Sequence, residues 1–144
     1  MTTFTVPTRE QVSENNQAIF DNLNKALGFV PNLYATIAYS KNGLERFLAY
    51  QNAKTSLSNK EKEAVNLIVS QENGCNDEQL TEIRHGKSSD NKLNALVALA
   101  SDITKNRGNA SEVIIDAFFA AGYTNENLAD LILQVSDKTA MNYL

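Results

Sequence analysis

Residues 57–75 read LSNKEKEAVNLIVSQENGC, and this stretch carries the clearest structural signal in the chain. Ser58, followed three places later by Glu61, matches a capping box, in which the two side chains satisfy backbone N–H groups at the start of a helix. The apolar stripe behind the box consists of Ala64, Val65, Ile68 and Val69. Asn73 and Gly74 are residues that end helices. The stretch therefore predicts one amphipathic helix that ends directly before Cys75.

The rest of the chain shows the same three- and four-residue spacing of apolar residues, and no period-two alternation is sustained. Capping residues precede most of these segments, and glycine follows most of them. The predicted helices follow Ser13, Pro31, Gly43, Ser58, Asn76, Asp90, Ser111 and Thr124. We expect an all-α fold, in which residues 1–144 form one compact domain. It should contain about eight helices.

The composition predicts a globular protein that does not bind nucleic acid. Hydrophobic residues make up 42% of the chain and charged residues 21%, unlike the polar, charge-rich composition of disordered proteins. Thirteen basic side chains stand against seventeen acidic ones, giving a formal charge of -4. Nucleic-acid affinity depends on clustered basic residues that contact phosphates, and such clusters are not expected here.

The expected compartment is the cytoplasm. No apolar run approaches the roughly 20 residues of a membrane span, so no membrane partner is expected. The N-terminal residues also lack the basic and apolar regions of a secretion signal. The single cysteine cannot form an internal disulfide, which is typical of a reducing compartment.

Cys75 is the candidate nucleophile, and Glu63 is the candidate general base. A cysteine just past a helix C-terminus lacks the positive surroundings that favour a thiolate, so a small, partly buried thiol is the competing interpretation. If Glu63 lies at the edge of the buried stripe, burial would raise its pKa and suit it to accept a proton. If it faces solvent, it is an ordinary acid near a helix start.

No metal or cofactor is expected. The only histidine, His85, is interpreted as a cation at a helix C-terminus. One histidine and one cysteine cannot complete a zinc site. The glycine-containing stretches are helix ends and do not follow strands, so they do not predict a phosphate-binding loop.

An internal similarity indicates a gap after Cys75. The segment NDEQLTEIR from Asn76 is similar to TNENLADLI from Thr124, in that each has a polar cap followed by Leu and Ile. A full apolar helix ending in AFFAAGY precedes Thr124, whereas only Cys75 stands before Asn76. If the two segments are versions of one helix pair, the first version lacks its leading helix.

Four motifs stand in order along nearly the whole chain: GFVPNL from Gly28, Leu57-Ser58 leading to EKEAV from Glu61, NGC from Asn73, and AAGY from Ala120. Together they resemble the carboxymuconolactone decarboxylase-like superfamily. Within the superfamily they are most similar to the alkylhydroperoxidase D-like, peroxidase-related proteins. The resemblance implies an all-α, usually oligomeric fold. It also implies redox chemistry at a Cys-x-x-Cys pair, with a histidine one turn later and a glutamate on the preceding helix.

Only part of that site is present in this chain. Cys75 matches the first cysteine, and Glu63, twelve residues earlier, matches the glutamate. Glu78 stands where the second cysteine belongs, and Glu82 stands where the histidine belongs. The resemblance therefore implies that a Cys-x-x-Cys-x-x-x-His segment is missing after Cys75, at the place that the internal similarity also indicates.

Three explanations fit the missing segment: a natural or engineered deletion, a degenerate paralogue, or a segment of the molecule that the sequence omits. The last is favoured because both flanks keep family-like residues up to the junction. A decaying gene would more often be altered on both sides.

The function implied by the resemblance is thiol-dependent (alkyl)hydroperoxide reduction by an antioxidant protein. Cys75 would be the surviving redox cysteine, and Glu63 would accept its proton. The partners would be a hydroperoxide substrate and a dithiol reductant. The competing hypothesis is a non-catalytic helical oligomer that keeps the scaffold. A third hypothesis is a lactone decarboxylase-like enzyme, which the Asn-Gly-Cys signature disfavours.

We also expect a homo-oligomer. The chain holds many apolar residues for its short helices, and exposed apolar patches usually mark subunit contacts. The residues expected to leave such a patch are Phe118, Phe119, Tyr123, Met141 and Tyr143.

Overall fold

The computed structural model describes residues 5–74 and 89–144. Within these ranges the chain forms seven α-helices and one short 3-10 helix, with no strand. The predicted all-α fold is confirmed. The helix predicted from Asn76, together with Cys75, Glu78, Glu82 and His85, lies outside the described residues.

The first of two compact units comprises residues 1–54 and Leu144. Its described part contains the 3-10 helix Arg9–Gln11, then α1 (Glu14–Leu27), α2 (Asn32–Ile37) and α3 (Gly43–Gln51). Its buried apolar residues are Val12, Phe20, Ala35, Ala38 and Leu44. The prediction that residues 1–144 form a single domain stays a prediction.

Helix α1 begins and ends where its sequence predicts. The Ser13 hydroxyl accepts a hydrogen bond from the backbone N–H of Asn16, and Gly28 has a φ of 83°, a left-handed conformation that glycine adopts without strain. The Asn16 side chain is fully buried. Its Nδ2 donates to the carbonyl oxygens of Ala38 at 2.8 Å and Ser40 at 3.0 Å. Since carbonyls at a helix end have no partner within the helix, Asn16 stabilises the end of α2.

The second unit, residues 55–143, contains four helices in its described part. They are α4 (Asn59–Glu72), α5 (Asn91–Lys105), α6 (Glu112–Ala120) and α7 (Asn125–Tyr143). The capping box of Ser58 and Glu61 is confirmed. The buried core consists of Leu57, Val65, Val69, Leu96, Leu99, Ala100, Phe118, Tyr123, Leu131 and Val135.

Contacts between side chains show that α4 and α5 run in the same direction. Lys60, near the start of α4, forms an ion pair with Asp90, which caps α5. Glu72, at the end of α4, contacts Lys105 at the end of α5 at 3.2 Å. The C-terminal ends of these two helices therefore lie side by side.

Helix α7 runs in this direction as well. Asn127, in its first turn, donates to the hydroxyl of Ser56, just before α4, at 2.9 Å. Asn73, at the end of α4, donates to Thr139 in the last part of α7 at 3.5 Å. Three C-terminal helix ends thus converge at one end of this unit.

The prediction that the apolar residues near the C-terminal end of the chain form an exposed patch is wrong in part. Phe118 is fully buried and Tyr123 is 5% exposed, because both pack in the core of the second unit. Phe119 and Met141 are partly buried, and Tyr143 is 77% exposed. The homo-oligomer itself stays a prediction. Among the helices of residues 5–74 and 89–144, none has the length and apolar character needed to cross a membrane.

Candidate functional site

The end of α4 is the last described part of the chain before Cys75. Glu72 is held there by α5: its Oε1 accepts from the Ser101 hydroxyl at 2.8 Å and contacts Lys105 Nζ at 3.2 Å. Only 13% of the Glu72 side chain is exposed. Gly74 then takes a φ of 78°, which lets the backbone leave the helix. The end of α4, which precedes Cys75 in the sequence, is therefore held in place by its contacts with α5.

Glu63, the candidate general base, lies on the exposed side of α4. Successive helical residues are about 100° apart, so residues two places from each other face largely opposite ways. Glu61 and the fully buried Val65 each stand two places from Glu63 and point toward the core. This position agrees with the interpretation of Glu63 as a solvated acid. The alternative, in which Glu63 lies at the edge of the buried stripe, is wrong for the described chain. Its proposed role toward Cys75 stays a prediction.

Glu61 is the α4 carboxylate that reaches the core. Its Oε1 accepts a hydrogen bond of 2.7 Å from the Tyr123 hydroxyl. Its Oε2 accepts from the Ser58 backbone N–H at 2.8 Å and from the Ser58 hydroxyl at 2.7 Å. The Tyr123 ring stacks on Phe118, with ring centroids 4.5 Å apart, and Lys92 Nζ lies 4.6 Å from the Tyr123 centroid.

These contacts stabilise opposite protonation states in the two residues. Burial alone would raise the pKa of Glu61, but the hydrogen bonds from Tyr123 and Ser58 outweigh it, so this pKa is lowered. Burial raises the pKa of Tyr123, and the hydrogen bond to Glu61 raises it further. Near neutral pH, Glu61 therefore stays ionised and Tyr123 stays protonated. This pair suits a structural link better than proton transfer.

The link between Glu61 and Tyr123 joins two of the motifs that carry the family resemblance. The sequence predicts Glu61 as a capping residue and places Tyr123 after a glycine that ends a helix. Nothing in its local pattern predicts that the two residues touch, because they stand 62 positions apart. Only the packing of α4 against the turn between α6 and α7 brings them together.

In the described ranges, no group of three or more His, Cys, Asp or Glu residues is placed to hold a metal ion. The Glu61 and Glu72 side chains instead contact tyrosine, serine or lysine side chains. Cys75 lies outside these ranges, so its surroundings do not enter this statement.

No protein-family model and no curated protein matches the chain, but solved structures do. An uncharacterized peroxidase-related protein from Silicibacter sp. TM1040 matches with a TM-score of 0.78 and 18% identity, over 97% of this chain and 84% of that one. The debrominase Bmp8 in its apo form matches with a TM-score of 0.73 and 16% identity, over 99% of this chain and 88% of that one.

A cysteine-to-alanine variant of Bmp8 in complex with 2,3,4-tribromopyrrole also matches, with a TM-score of 0.71 and 14% identity, over 99% of this chain and 87% of that one. Identities this low establish the fold alone. The chain thus has the all-α fold of these proteins, one of which is named as peroxidase-related, in agreement with the resemblance that the sequence motifs indicate.

Proposed function

We propose that this protein is a thiol-dependent hydroperoxide reductase in which Cys75 attacks the peroxide. The observation that carries the proposal is the likeness of fold, over 97% of the chain, to a peroxidase-related protein. Cys75 supplies the chemistry because it is the only thiol in the sequence and follows the anchored end of α4.

The proposed reaction begins with the thiolate of Cys75. Its sulfur attacks one oxygen of the hydroperoxide, the O–O bond breaks, and the departing alkoxide takes a proton to become an alcohol. Cys75 is left as a sulfenic acid. One thiol of an external dithiol then attacks this sulfur, forming a mixed disulfide and releasing water. The second thiol attacks the mixed disulfide, which restores Cys75 and leaves the reductant oxidised.

The sequence explains why both reductive steps are assigned to an external partner. A second cysteine in the chain could resolve the sulfenic acid internally, but Cys75 is alone. For the chain as printed, the reductant must therefore carry both thiols, or two monothiol molecules must act in turn.

The test is consumption of cumene hydroperoxide in the presence of dithiothreitol. We expect catalytic turnover by the unmodified protein and loss of turnover in Cys75→Ser. Glu112→Gln, a change at an exposed acid in the first turn of α6, is the matched control and should leave the rate unchanged. Turnover that survives in Cys75→Ser would refute the proposed nucleophile. A protein that folds but shows no turnover would support the non-catalytic oligomer.

A second candidate function is thiol-dependent debromination, favoured by the likeness of fold to Bmp8 at TM-scores of 0.73 and 0.71. In this reaction a dithiol would supply two electrons, the C–Br bond would be replaced by C–H, and bromide would leave. Release of bromide from tribromopyrrole, measured with dithiothreitol, tests it. Bromide release that requires Cys75, without hydroperoxide consumption, would replace the first proposal with this one.

A further inference from the structure

The sequence contains two asparagine-glycine pairs, Asn42-Gly43 and Asn73-Gly74. In such a pair the backbone nitrogen of the glycine can attack the side-chain carbonyl carbon of the asparagine, because glycine has no side chain to hinder the approach. A C–N bond forms, the backbone nitrogen loses its proton to water, and the amide nitrogen takes up a proton and leaves as ammonia. Water then opens the succinimide ring at either carbonyl, which gives aspartate or isoaspartate.

Asn42 lies in the exposed turn between α2 and α3. Its side chain makes no capping hydrogen bond at the start of α3, so no such bond restrains the amide. Gly43 is the first residue of α3, and its N–H donates to the Ser40 carbonyl at 3.2 Å, within the same turn. The attack at Asn42 therefore requires only the local rearrangement of one exposed turn.

Asn73 has different surroundings, because it is half-buried at the end of α4. Its Nδ2 donates to the Thr139 hydroxyl in α7 at 3.5 Å. The N–H of Gly74 makes a turn hydrogen bond of 3.1 Å, which is comparable with that of Gly43, so the backbone nitrogens do not distinguish the two pairs. The side chains do distinguish them. Rotation of the Asn73 amide toward Gly74 breaks a contact between two helices, whereas rotation of the Asn42 amide breaks no capping bond.

The packing of the turn before α3 explains why position 43 needs glycine. A Cβ atom added to Gly43 would lie 2.6 Å from the Cβ and 2.8 Å from the Oγ of Ser40, which is closer than van der Waals contact allows. A larger residue at this position would hinder the attack on Asn42, but it would also displace Ser40 and destabilise the turn. The close contact between the turn and α3 therefore keeps the reactive pair in the sequence.

We propose that Asn42 is a site of spontaneous deamidation in the folded protein, whereas the fold protects Asn73. The reaction needs no partner but water and is independent of the proposed function. Aspartate at position 42 places negative charge at the N-terminal end of α3, where the helix dipole stabilises it. Isoaspartate instead routes the main chain through the former side chain, so α3 loses the hydrogen bond of 3.4 Å from the Arg46 N–H to the Asn42 carbonyl. The two products therefore have opposite effects on the start of α3.

The test is incubation of the folded protein in mildly alkaline buffer made with heavy-oxygen water, followed by mass mapping of its peptides. Each deamidation during the incubation adds one heavy oxygen from water. We expect labelling at Asn42 to be at least roughly tenfold faster than at Asn73, which corresponds to about 1.4 kcal/mol in the barrier. In the urea-unfolded chain the two rates should become similar, because the fold no longer distinguishes the pairs. Circular dichroism checks that the first sample stays folded.

Asn42→Gln is the matched control variant, because it keeps an amide at this exposed position but would have to close a larger and slower-forming ring. A methyltransferase specific for isoaspartate should modify the unmodified protein after incubation and should modify incubated Asn42→Gln much less. A folded protein that gains no label at Asn42, while the unfolded chain does, would overturn the assignment. Labelling of Asn73 as fast as Asn42 in the folded protein, or a ratio of the two rates that urea does not change, would overturn the protection by the fold.

Discussion

Two glutamates of α4 have opposite environments because they stand two positions apart in the sequence and so lie on opposite sides of the helix. Glu61 faces the core and is held by Tyr123 and Ser58, whereas Glu63 faces solvent. The sequence correctly predicts the capping role of Glu61, because a capping box is local. It does not predict the bond to Tyr123, because that bond depends on how helices pack.

The first prediction concerns Tyr123→Phe. The ring can remain stacked on Phe118, but Glu61 loses a hydrogen bond, so the free energy of unfolding should fall by about 1 kcal/mol at neutral pH. Chemical denaturation measures this change. Tyr143→Phe is the control, since this side chain is 77% exposed, and it should leave the stability unchanged.

The difference between Tyr123→Phe and the unmodified protein should depend on pH. The pKa of Tyr123 is raised above its ordinary 10.0, so the unfolded chain loses this proton first and the stabilisation declines as the pH rises above about 10. The pKa of Glu61 is lowered below its ordinary 4.5, so the stabilisation also declines as the pH falls below that value. A difference that is the same at every pH would contradict the assigned contact.

The second prediction concerns Glu63 and the Cys75 thiol. Glu72 stands nine positions after Glu63 in one continuous helix. This corresponds to roughly 14 Å along the axis, and Cys75 comes later still. In the chain as printed, we expect a thiol pKa near the ordinary value of about 8.5, unchanged in Glu63→Gln. The rate of reaction with a thiol probe against pH measures it.

A thiol pKa far below that value, returning to normal in Glu63→Gln, would contradict this second prediction. It would show that the carboxylate and the thiol meet despite their separation along α4. A neighbouring subunit, or a segment that the sequence omits, would then have to bring the thiol back toward Glu63.

At the scale of the helices, the predicted starts and ends agree well with the structure because the signals are local. Ser13, Ser58 and Asp90 each accept a backbone N–H bond at the helix they precede. Ser111 stands at the predicted position, yet its side chain makes no capping bond. A residue type therefore predicts where a helix begins, but not whether its side chain contributes to the stability of that start.

This contrast gives the third prediction. Ser58→Ala removes a capping box and should lower the free energy of unfolding by about 1 kcal/mol. Ser111→Ala removes no such bond and is the matched control, with an expected change of only a few tenths of a kcal/mol. Thermal or chemical denaturation of the two variants compares them. Equal losses would mean that the capping bond of Ser58 contributes nothing specific.

At the scale of the whole molecule, the sequence predicts the fold better than it predicts the surface. Helical spacing assigns Phe118 and Tyr123 to helices and turns, but it cannot tell core from interface where both are apolar. The structure buries these two residues and leaves other apolar residues exposed, namely Val113 at 76%, Ile132 at 45% and Leu133 at 48%. These exposed residues are therefore the candidates for oligomer contacts in the second unit.

The fourth prediction is that the protein forms a homo-oligomer at micromolar concentration. The exposed apolar residues of α6 and α7 would gain by being covered, and the family resemblance implies the same state. Light scattering coupled to gel filtration measures the mass of the particle. A monomer, which for this chain has a mass of 15.9 kDa, would count against both arguments.

The most direct test of the central claim is the intact mass of the protein before and after one equivalent of cumene hydroperoxide, with dimedone present to trap a sulfenic acid. A starting mass of 15.9 kDa would mean that the segment after Cys75 is truly absent, and a heavier chain that the sequence omits it. At 15.9 kDa we expect one dimedone adduct, mapped to Cys75 and absent from Cys75→Ser. In a heavier chain with a second cysteine, we expect an internal disulfide at Cys75, with the loss of two hydrogens, in place of the adduct. A protein that folds but gains neither modification at Cys75 would contradict its role as the peroxide-attacking residue.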